Sequence, residues 1–287
     1  MPGHYIIKIN NRCNMNCLFC ADPPEVRSLP DYSYEKLVGM IRTNRERFDS
    51  LLITGGEPTI YRRIESLISK AKELGYSRIG LGTNGLMFSN KSFLQRLITA
   101  GLDSIQVSYF SGNEKNYSAL SRTPKSFKLV TKALSNISKT GVDLRINVVI
   151  SKINYTELID IVSNLSRFRV SSITLSFMNP VGTSVVNGKS GLMVTYTKIM
   201  PKIREVFLFS RKDYRERIYI ENFPICIAPD LKARISDLTQ PSENHEYYNT
   251  SKVHPKKCSM CKYRESCKGL WKAYYEQQGD SEIKAIK

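Results

Sequence analysis

Short apolar runs alternate with stretches of helical periodicity over the first two thirds of the chain. Six of these runs have the length and the apolar or alternating character of strands, and they occupy residues 5–10, 51–54, 77–85, 104–110, 144–150 and 171–179. The segments between them repeat apolar residues at helical spacing, as Ile64, Leu67, Ile68 and Ala71 do. This alternation predicts an α/β fold with a parallel sheet. Right-handed crossovers would curl that sheet into a partial (β/α)6 TIM-type barrel.

The pattern changes after about residue 190. Residues 193–214 are predicted to be helical, and residues 216–221 have the character of a further strand. Prolines, cysteines and lysines dominate from residue 224 onward, where we predict a polar loop at 238–253 and a closing helix at 267–279. We therefore expect a barrel over residues 1–190, a connecting helix and strand over 191–223, and a small C-terminal domain over 224–287.

Polar and glycine-rich motifs follow four of the predicted strands. NRCNMNC follows the first strand, GGEP the second, TNG the third and MNPVG the sixth. In barrels of this type the loops after the strands meet at one end and carry the chemistry. The placement of the motifs therefore predicts one shared active site at that end.

Seven cysteines fall into a group of three and a group of four. An odd number in a chain without an export signal argues against a disulfide framework. The first group, Cys13, Cys17 and Cys20, places three thiols within eight residues. Three thiolates can hold three irons of a [4Fe–4S] cubane and leave the fourth iron open, whereas a structural zinc ion takes four ligands. The spacing favours such a cluster over zinc and over buried free cysteines.

The second group has enough cysteines to close a metal site. Cys258, Cys261 and Cys267 are compact, and Cys226 lies well upstream of them. A [4Fe–4S] cluster is favoured, and a four-cysteine zinc ion is also chemically allowed. If all four cysteines bind a cluster, no iron is open to substrate; if Cys226 does not bind, one iron is.

The segment CNMNCLFC resembles the signature of the radical S-adenosylmethionine (SAM) superfamily, with Phe19 at the aromatic position before the last cysteine. Further motifs of that family follow in order along the chain. The resemblance implies that the open iron chelates the amino and carboxylate groups of SAM, and that an electron from a donor such as flavodoxin or ferredoxin then yields a 5′-deoxyadenosyl radical. It also implies a set of SAM-binding residues: Gly55, Gly56, Glu57, Pro58, Thr83, Asn84, Ser108, Asn147 and Met178.

Those residues have separate expected contacts within the SAM site. The GGEP segment is expected at the SAM amino group, with Glu57 or backbone carbonyls receiving the ammonium. Asn147 is expected near the ribose, Ser108 near the ribose or carboxylate, and Met178 near the adenine. The second cysteine group resembles the C-terminal SPASM and twitch auxiliary-cluster domains. Because only four cysteines remain for it, the resemblance favours the one-cluster twitch form.

The chain carries a formal net charge of +17, which predicts attraction to an anionic partner or a lysine-rich solvated surface. No apolar run reaches the roughly 18–20 residues that cross a bilayer, and the start of the chain lacks a signal peptide. We therefore expect a cytoplasmic protein without a membrane partner. No recognition-helix or RNP-type signature favours nucleic acid.

These features leave two enzymatic functions and one non-enzymatic function to compare. Modification of a ribosomally synthesised peptide, by crosslink, thioether or epimerisation, is the favoured function, although no leader-binding domain is expected before Cys13. The alternative substrate is an anionic small molecule such as a nucleotide, a sugar phosphate or a pterin precursor. The basic charge favours that alternative, but the chain ends in EIKAIK and lacks the C-terminal diglycine of molybdopterin-precursor cyclases. A non-enzymatic metal-binding module would not need the SAM-site motifs.

Overall fold

Seven strands form one open parallel sheet in which each strand pairs with the next strand along the chain. The structure, a computed structural model, describes residues 4–186, 189–239 and 251–287. In chain order the strands are β1 His4–Lys8, β2 Ser50–Thr54, β3 Arg78–Thr83, β4 Ser104–Ser108, β5 Asp143–Ile150, β6 Ser172–Phe177 and β7 Ile218–Glu221. The α/β prediction is confirmed. The sheet is one strand larger than the six that we expected, because β7 pairs with β6.

Helices connect the strands and continue into the C-terminal part of the chain. The described α-helices are Pro24–Arg27, Tyr34–Asn44, Ile64–Glu73, Lys91–Thr99, Glu114–Ser121, Ser126–Ile137, Leu158–Leu165, Tyr196–Phe209, Lys212–Arg215, Ser236–Thr239 and Lys272–Gln278. Ser33, Asn90 and Asn113 each begin a helix by accepting a hydrogen bond from a backbone N–H three residues further on. None of the helices in the described ranges is long and apolar enough to span a bilayer.

The two faces of the sheet differ in polarity. Along β5, Ile146 and Val148 are buried, whereas Arg145 and Asn147, which alternate with them, are only half-buried. The buried positions face the helices, because successive strand residues point to opposite sides and the helices bury their own apolar stripe. The other face is the inner face of the curled sheet. It carries polar side chains, and at the carboxyl ends of the strands it is the natural place for a site.

Three predictions about the C-terminal part were wrong in detail. Residues 267–279 do not form one helix, because Leu270–Trp271 pairs with Lys252–Val253 as an antiparallel strand and the helix begins at Lys272. Burial explains this, since Leu270 and Trp271 are each 1% exposed. The predicted loop at 238–253 ends in that strand and begins within the helix Ser236–Thr239; its middle, 240–250, lies outside the described residues. The helix predicted over 193–214 is split into Tyr196–Phe209 and Lys212–Arg215.

An aromatic cluster joins the C-terminal part to the sheet. The ring of Phe177, the last residue of β6, stacks on Tyr196 at 4.2 Å and meets Tyr274 edge-on at 5.4 Å. Phe223 packs against Phe177 and Tyr196. The buried apolar residues of the sheet and of the C-terminal part thus form one continuous core. The division into 1–190, 191–223 and 224–287 remains a prediction.

Candidate functional site

The loop that carries Cys13, Cys17 and Cys20 follows β1 and is hydrogen-bonded to the segment that follows β4. The backbone N–H of Leu18 donates to the carbonyl of Leu120 at 2.9 Å. The Phe19 ring meets the ring of Phe110 edge-on, with centroids 4.8 Å apart. The aromatic residue before the third cysteine therefore anchors the loop in the core next to the end of β4.

Thr183 and Gly182, in the loop after β6, hold the cysteine loop from the other side. The Thr183 N–H donates to the carbonyl of Cys20 at 2.9 Å, and its hydroxyl lies 3.0–3.2 Å from the carbonyls of Cys17, Leu18 and Cys20. Gly182 has a φ of 61°, and a methyl group there would collide with the carbonyl oxygens of Cys20 and Ala21. Sequence reasoning missed Thr183, because these contacts span more than 160 residues of chain.

The three thiols of this loop lie close together and are partly buried. Burial raises the pKa of the Cys13 thiol to about 11 and that of the Cys17 thiol to about 12, and it also raises the pKa of Cys20. A thiolate charge at Cys13 or Cys20 raises the pKa of Cys17 further. The Asn84 amide nitrogen lies 3.8 Å from the Cys13 sulfur. Because metals take thiolates, binding here would release protons.

The GGEP loop after β2 packs directly on the segment that leads into the cysteines. The N–H of Gly56 donates to the carbonyl of Asn10 at 2.9 Å, and the N–H of Glu57 donates to that of Arg12 at 2.8 Å. A methyl group on Gly56 would collide with the carbonyl oxygens of Asn11 and Arg12. The glycine is thus required where two backbones meet. Pro58, which is buried, opens the short turn Pro58–Ile60 that follows.

Glu57 connects the loops after β2 and β3 through its carboxylate. One oxygen accepts from the Thr59 N–H at 3.0 Å, the Thr59 hydroxyl at 2.5 Å and the Thr83 hydroxyl at 2.7 Å. The other accepts from the Asn84 N–H at 2.7 Å. Burial raises the pKa of Glu57, and these hydrogen bonds oppose that shift. All four bonds are internal to the protein; a contact with the SAM ammonium remains a prediction.

Ser108 is the last residue of β4, Asn147 lies in the middle of β5, and Met178 directly follows β6. Ser108 and Asn147 are direct partners across the sheet and are half-buried on its inner face. Met178 follows β6 and is 3% exposed. The next side chain, Asn179, has a buried carbonyl oxygen without a hydrogen-bond partner among the described residues. A polar ligand with a donor group would satisfy that oxygen, so the residues fit both a three-thiolate cluster and a ligand such as SAM.

The second group of cysteines lines one cavity in the C-terminal part. Cys226, Cys258, Cys261 and Cys267 all contribute to its wall, and the cavity is partly open to solvent. Burial raises the pKa of Cys258, and the charges of the other three thiols raise it further. Four thiols around one cavity have the donor chemistry that an iron–sulfur cluster or zinc requires.

His254 also lies on the wall of this cavity. One of its ring nitrogens lies 2.9 Å from the carbonyl oxygen of Cys267. Within the described ranges, no three His, Cys, Asp or Glu side chains converge tightly enough for a single metal ion.

The chain matches the Radical SAM superfamily over residues 7–165, which is more than half of its length. It therefore belongs to that superfamily and is a radical SAM enzyme. Members of this family use a [4Fe–4S] cluster and SAM.

Two relatives of known or assigned activity are similar in sequence. The 7,8-dihydro-6-hydroxymethylpterin dimethyltransferase of Methanocaldococcus jannaschii is 30% identical over 141 residues, 48% of this chain and 28% of the relative. A probable GTP 3′,8-cyclase of Sulfurisphaera tokodaii is 26% identical over 226 residues, 76% of this chain and 70% of the relative. The chain thus spans only about a quarter of the length of the first relative and under three quarters of the second.

Solved structures of similar fold include two that hold peptides. The protein anSMEcpe with bound AdoMet and Cp18Cys peptide superposes with a TM-score of 0.68 at 18% identity, covering 99% of this chain and 93% of that one. Streptococcus suis SuiB bound to its precursor peptide SuiA gives a TM-score of 0.66 at 20% identity, covering 80% of this chain and 52% of that one. At these identities the likeness defines the fold, and the prediction of a partial barrel is confirmed.

Proposed function

We propose that Cys13, Cys17 and Cys20 hold the [4Fe–4S] cluster and that the strand-end residues around them bind SAM. The observation that carries this proposal is the placement of the three thiols. Their loop is bonded to the segments that follow β2, β4 and β6, and Asn84 after β3 approaches Cys13. When bound, the cluster and SAM supply the 5′-deoxyadenosyl radical that abstracts hydrogen from the substrate.

The chain's own residues hold, orient and shield the reacting groups. Gly56 and Gly182 let neighbouring backbones approach the cysteine loop, and Thr183 fixes its carbonyls. Glu57 keeps the loops after β2 and β3 at a fixed separation. Phe19 and Phe110 place apolar surface behind the thiols, which keeps water away from that side. For SAM itself, we propose contacts from Gly55, Gly56, Glu57, Pro58, Thr83, Asn84, Ser108, Asn147 and Met178.

We assign the C-terminal cavity to an auxiliary [4Fe–4S] cluster bound by Cys226, Cys258, Cys261 and Cys267. The shared cavity and the mutual influence of the thiol charges support this assignment. Zinc is the alternative that the same donor set allows. An electron donor such as flavodoxin or ferredoxin, and a cytoplasmic location, remain predictions for this enzyme.

The proposed substrate is a ribosomally synthesised peptide, which would receive a crosslink, a thioether or an epimerised residue. The similarity in fold to peptide-bound anSMEcpe over nearly the whole chain supports this proposal. A nucleotide or other anionic small molecule is the second candidate. The similarity in sequence to a probable GTP 3′,8-cyclase and the net charge of +17 favour it.

One anaerobic assay tests the radical chemistry and distinguishes the two substrate classes. Reconstituted protein with SAM and dithionite should release 5′-deoxyadenosine, and the Cys17→Ala variant should not. Release that continues in Cys17→Ala contradicts the assignment of the first site. Adding GTP should leave the rate unchanged if the substrate is a peptide. A GTP-dependent rise with a new nucleotide product would replace the peptide by the second candidate.

A further inference from the structure

A single hydroxyl group, that of Ser176, lies between Asn147 and Glu221 on the inner face of the sheet. The Ser176 oxygen is 2.6 Å from Oδ1 of Asn147 and 2.7 Å from Oε2 of Glu221. Ser176 and Glu221 are direct partners across β6 and β7, and Ser176 is only 4% exposed. The contact therefore joins β7 to Asn147, the residue that the proposed function places beside the SAM ribose.

The number of available protons limits how these three side chains can bond. A serine hydroxyl donates one hydrogen bond, whereas both neighbouring atoms are acceptors if Glu221 is ionised. Either Glu221 is protonated and donates to Ser176, which then donates to Oδ1 of Asn147, or the amide turns and its nitrogen faces Ser176. In the first arrangement, the Asn147 N–H group faces the space inside the curled sheet. In the second arrangement, the Asn147 carbonyl oxygen faces that space.

The charges around Glu221 select the first arrangement. Lys252, whose side chain is 7% exposed, lies 3.2 Å from a carboxylate oxygen of Asp237 and 2.8 Å from Oδ1 of Asn222. Asp237 therefore pairs with this buried lysine, and Glu221 is a second acid that acts on the same lysine. A buried carboxyl without its own cation is more stable as the neutral acid.

The direction of the pKa shift at Glu221 agrees with the presence of two acids beside one buried lysine. Burial is the largest cause and raises the pKa of Glu221, and the charge of Asp237 raises it further. The hydrogen bond with Ser176 and the charge of Lys252 act in the opposite sense and are outweighed. Among the residues that the structure describes, the polar and charged groups that act on Glu221 are Ser176 from β6, Asp237 from the helix Ser236–Thr239 and Lys252 from the strand Lys252–Val253.

We infer that Glu221 is a positioning residue that donates through Ser176 and fixes the Asn147 amide with its N–H group toward the ligand. The inference rests on the proposed function, because Asn147 must face bound SAM. The ligand atom that it would recognise is a hydrogen-bond acceptor, such as a ribose oxygen. Because the pKa of Glu221 is raised, the N–H orientation is held at low pH and lost as the pH rises through that pKa.

The dissociation constant of SAM, measured by anaerobic equilibrium dialysis across a series of pH values, tests this relay without relying on turnover. In the wild type, binding should weaken at high pH by roughly three- to tenfold, the loss of one hydrogen bond. Glu221→Gln can donate a hydrogen bond but cannot ionise. It should therefore bind SAM as tightly as the wild type does at low pH, and its binding should not weaken three- to tenfold at high pH. Glu221→Leu can do neither and should bind weakly at every pH. The ionisation of SAM itself affects all variants equally.

Ser176→Ala provides the second variant, since it breaks the relay while leaving the acid in place. It should bind SAM weakly. Like Glu221→Gln, it should not show the part of the pH dependence of SAM binding that the ionisation of Glu221 causes. Thermal unfolding of each variant identifies any that fail to fold. The inference is overturned if Glu221→Gln keeps the wild-type pH profile, or if it binds as weakly as Glu221→Leu. If the wild type binds no SAM at all, the proposed function fails instead.

Discussion

The two cysteine groups sit in very different surroundings. Cys13, Cys17 and Cys20 lie on a loop bonded to segments after β2, β4 and β6, so contacts from across the whole sheet fix their positions. Cys258, Cys261 and Cys267 lie in short turns, and local bonds such as that from the Cys261 N–H to the Cys258 carbonyl at 3.1 Å hold them. The first site therefore depends on the barrel, whereas the second depends mainly on its own segment and on Cys226.

The match to the family also separates the two cysteine groups. It covers residues 7–165, which include the first cysteine group and exclude the second. We therefore expect the chemistry that the chain shares with its family at the first cysteine group. We expect properties particular to this enzyme to be encoded in the C-terminal part, which lies outside that match.

The largest expected difference between the two sites appears when one cysteine of each is removed. Cys17→Ala should lower 5′-deoxyadenosine formation by at least about a hundredfold, because loss of a metal ligand exceeds the effect of losing a supporting contact. Cys258→Ala should leave much of that formation intact while abolishing modification of the substrate. Both quantities are measured by chromatography of the same reaction. Equal loss of 5′-deoxyadenosine in the two variants would remove the distinction between the sites.

Gly182→Ala should disable the first site alone. The added methyl group would collide with the carbonyls of Cys20 and Ala21, and φ there is 61°. Strain of this kind costs about 1–3 kcal/mol, and we expect the protein to lose roughly half of its iron as a result. Gly141→Ala is the matched control, because nothing lies within 4 Å of its added methyl group. Unchanged iron in Gly182→Ala would show that the loop can move without losing its metal.

Glu57→Gln should weaken the link between the loops after β2 and β3. The amide has one accepting oxygen in place of two, so at least one buried donor from Thr59, Thr83 or Asn84 loses its partner. An unsatisfied buried donor costs about 1–3 kcal/mol, measurable as a lower free energy of unfolding in urea. The exposed pair of Glu65 and Arg96 supplies the control, and Glu65→Gln should have little effect. Equal stability of the two variants would exclude a structural role for Glu57.

The smallest expected effect is that of the Thr183 hydroxyl. Thr183→Val keeps the shape of the side chain but removes the donor to the carbonyls of Cys17, Leu18 and Cys20, and should cost about 1 kcal/mol. Thr183→Ser retains the donor and should retain most of the stability. Denaturant unfolding of the two variants measures the difference. If the two were indistinguishable, the hydroxyl would have no part in holding the loop.

The elements that the sequence predicted best are those with a local signal. Strand periodicity located β1 to β6, and the spacing of Cys13, Cys17 and Cys20, together with the motifs that follow them, predicts the metal chemistry. The anchoring by Thr183 and the link from Glu221 to Asn147 could not be found in this way, because each joins distant segments through a single contact. The strand Leu270–Trp271 was mistaken for helix because its apolar residues pair with Lys252–Val253, a partner that local periodicity does not reveal.

The separation into a three-cysteine site and a four-cysteine site is tested most directly by the metal content of the anaerobically reconstituted protein. Two cubanes give about eight irons per chain, and Cys17→Ala and Cys258→Ala should each leave about four. Two separate sites predict that the double variant Cys17→Ala, Cys258→Ala retains almost none. A wild-type value near four irons with one zinc would contradict the assignment of the C-terminal site as an auxiliary cluster.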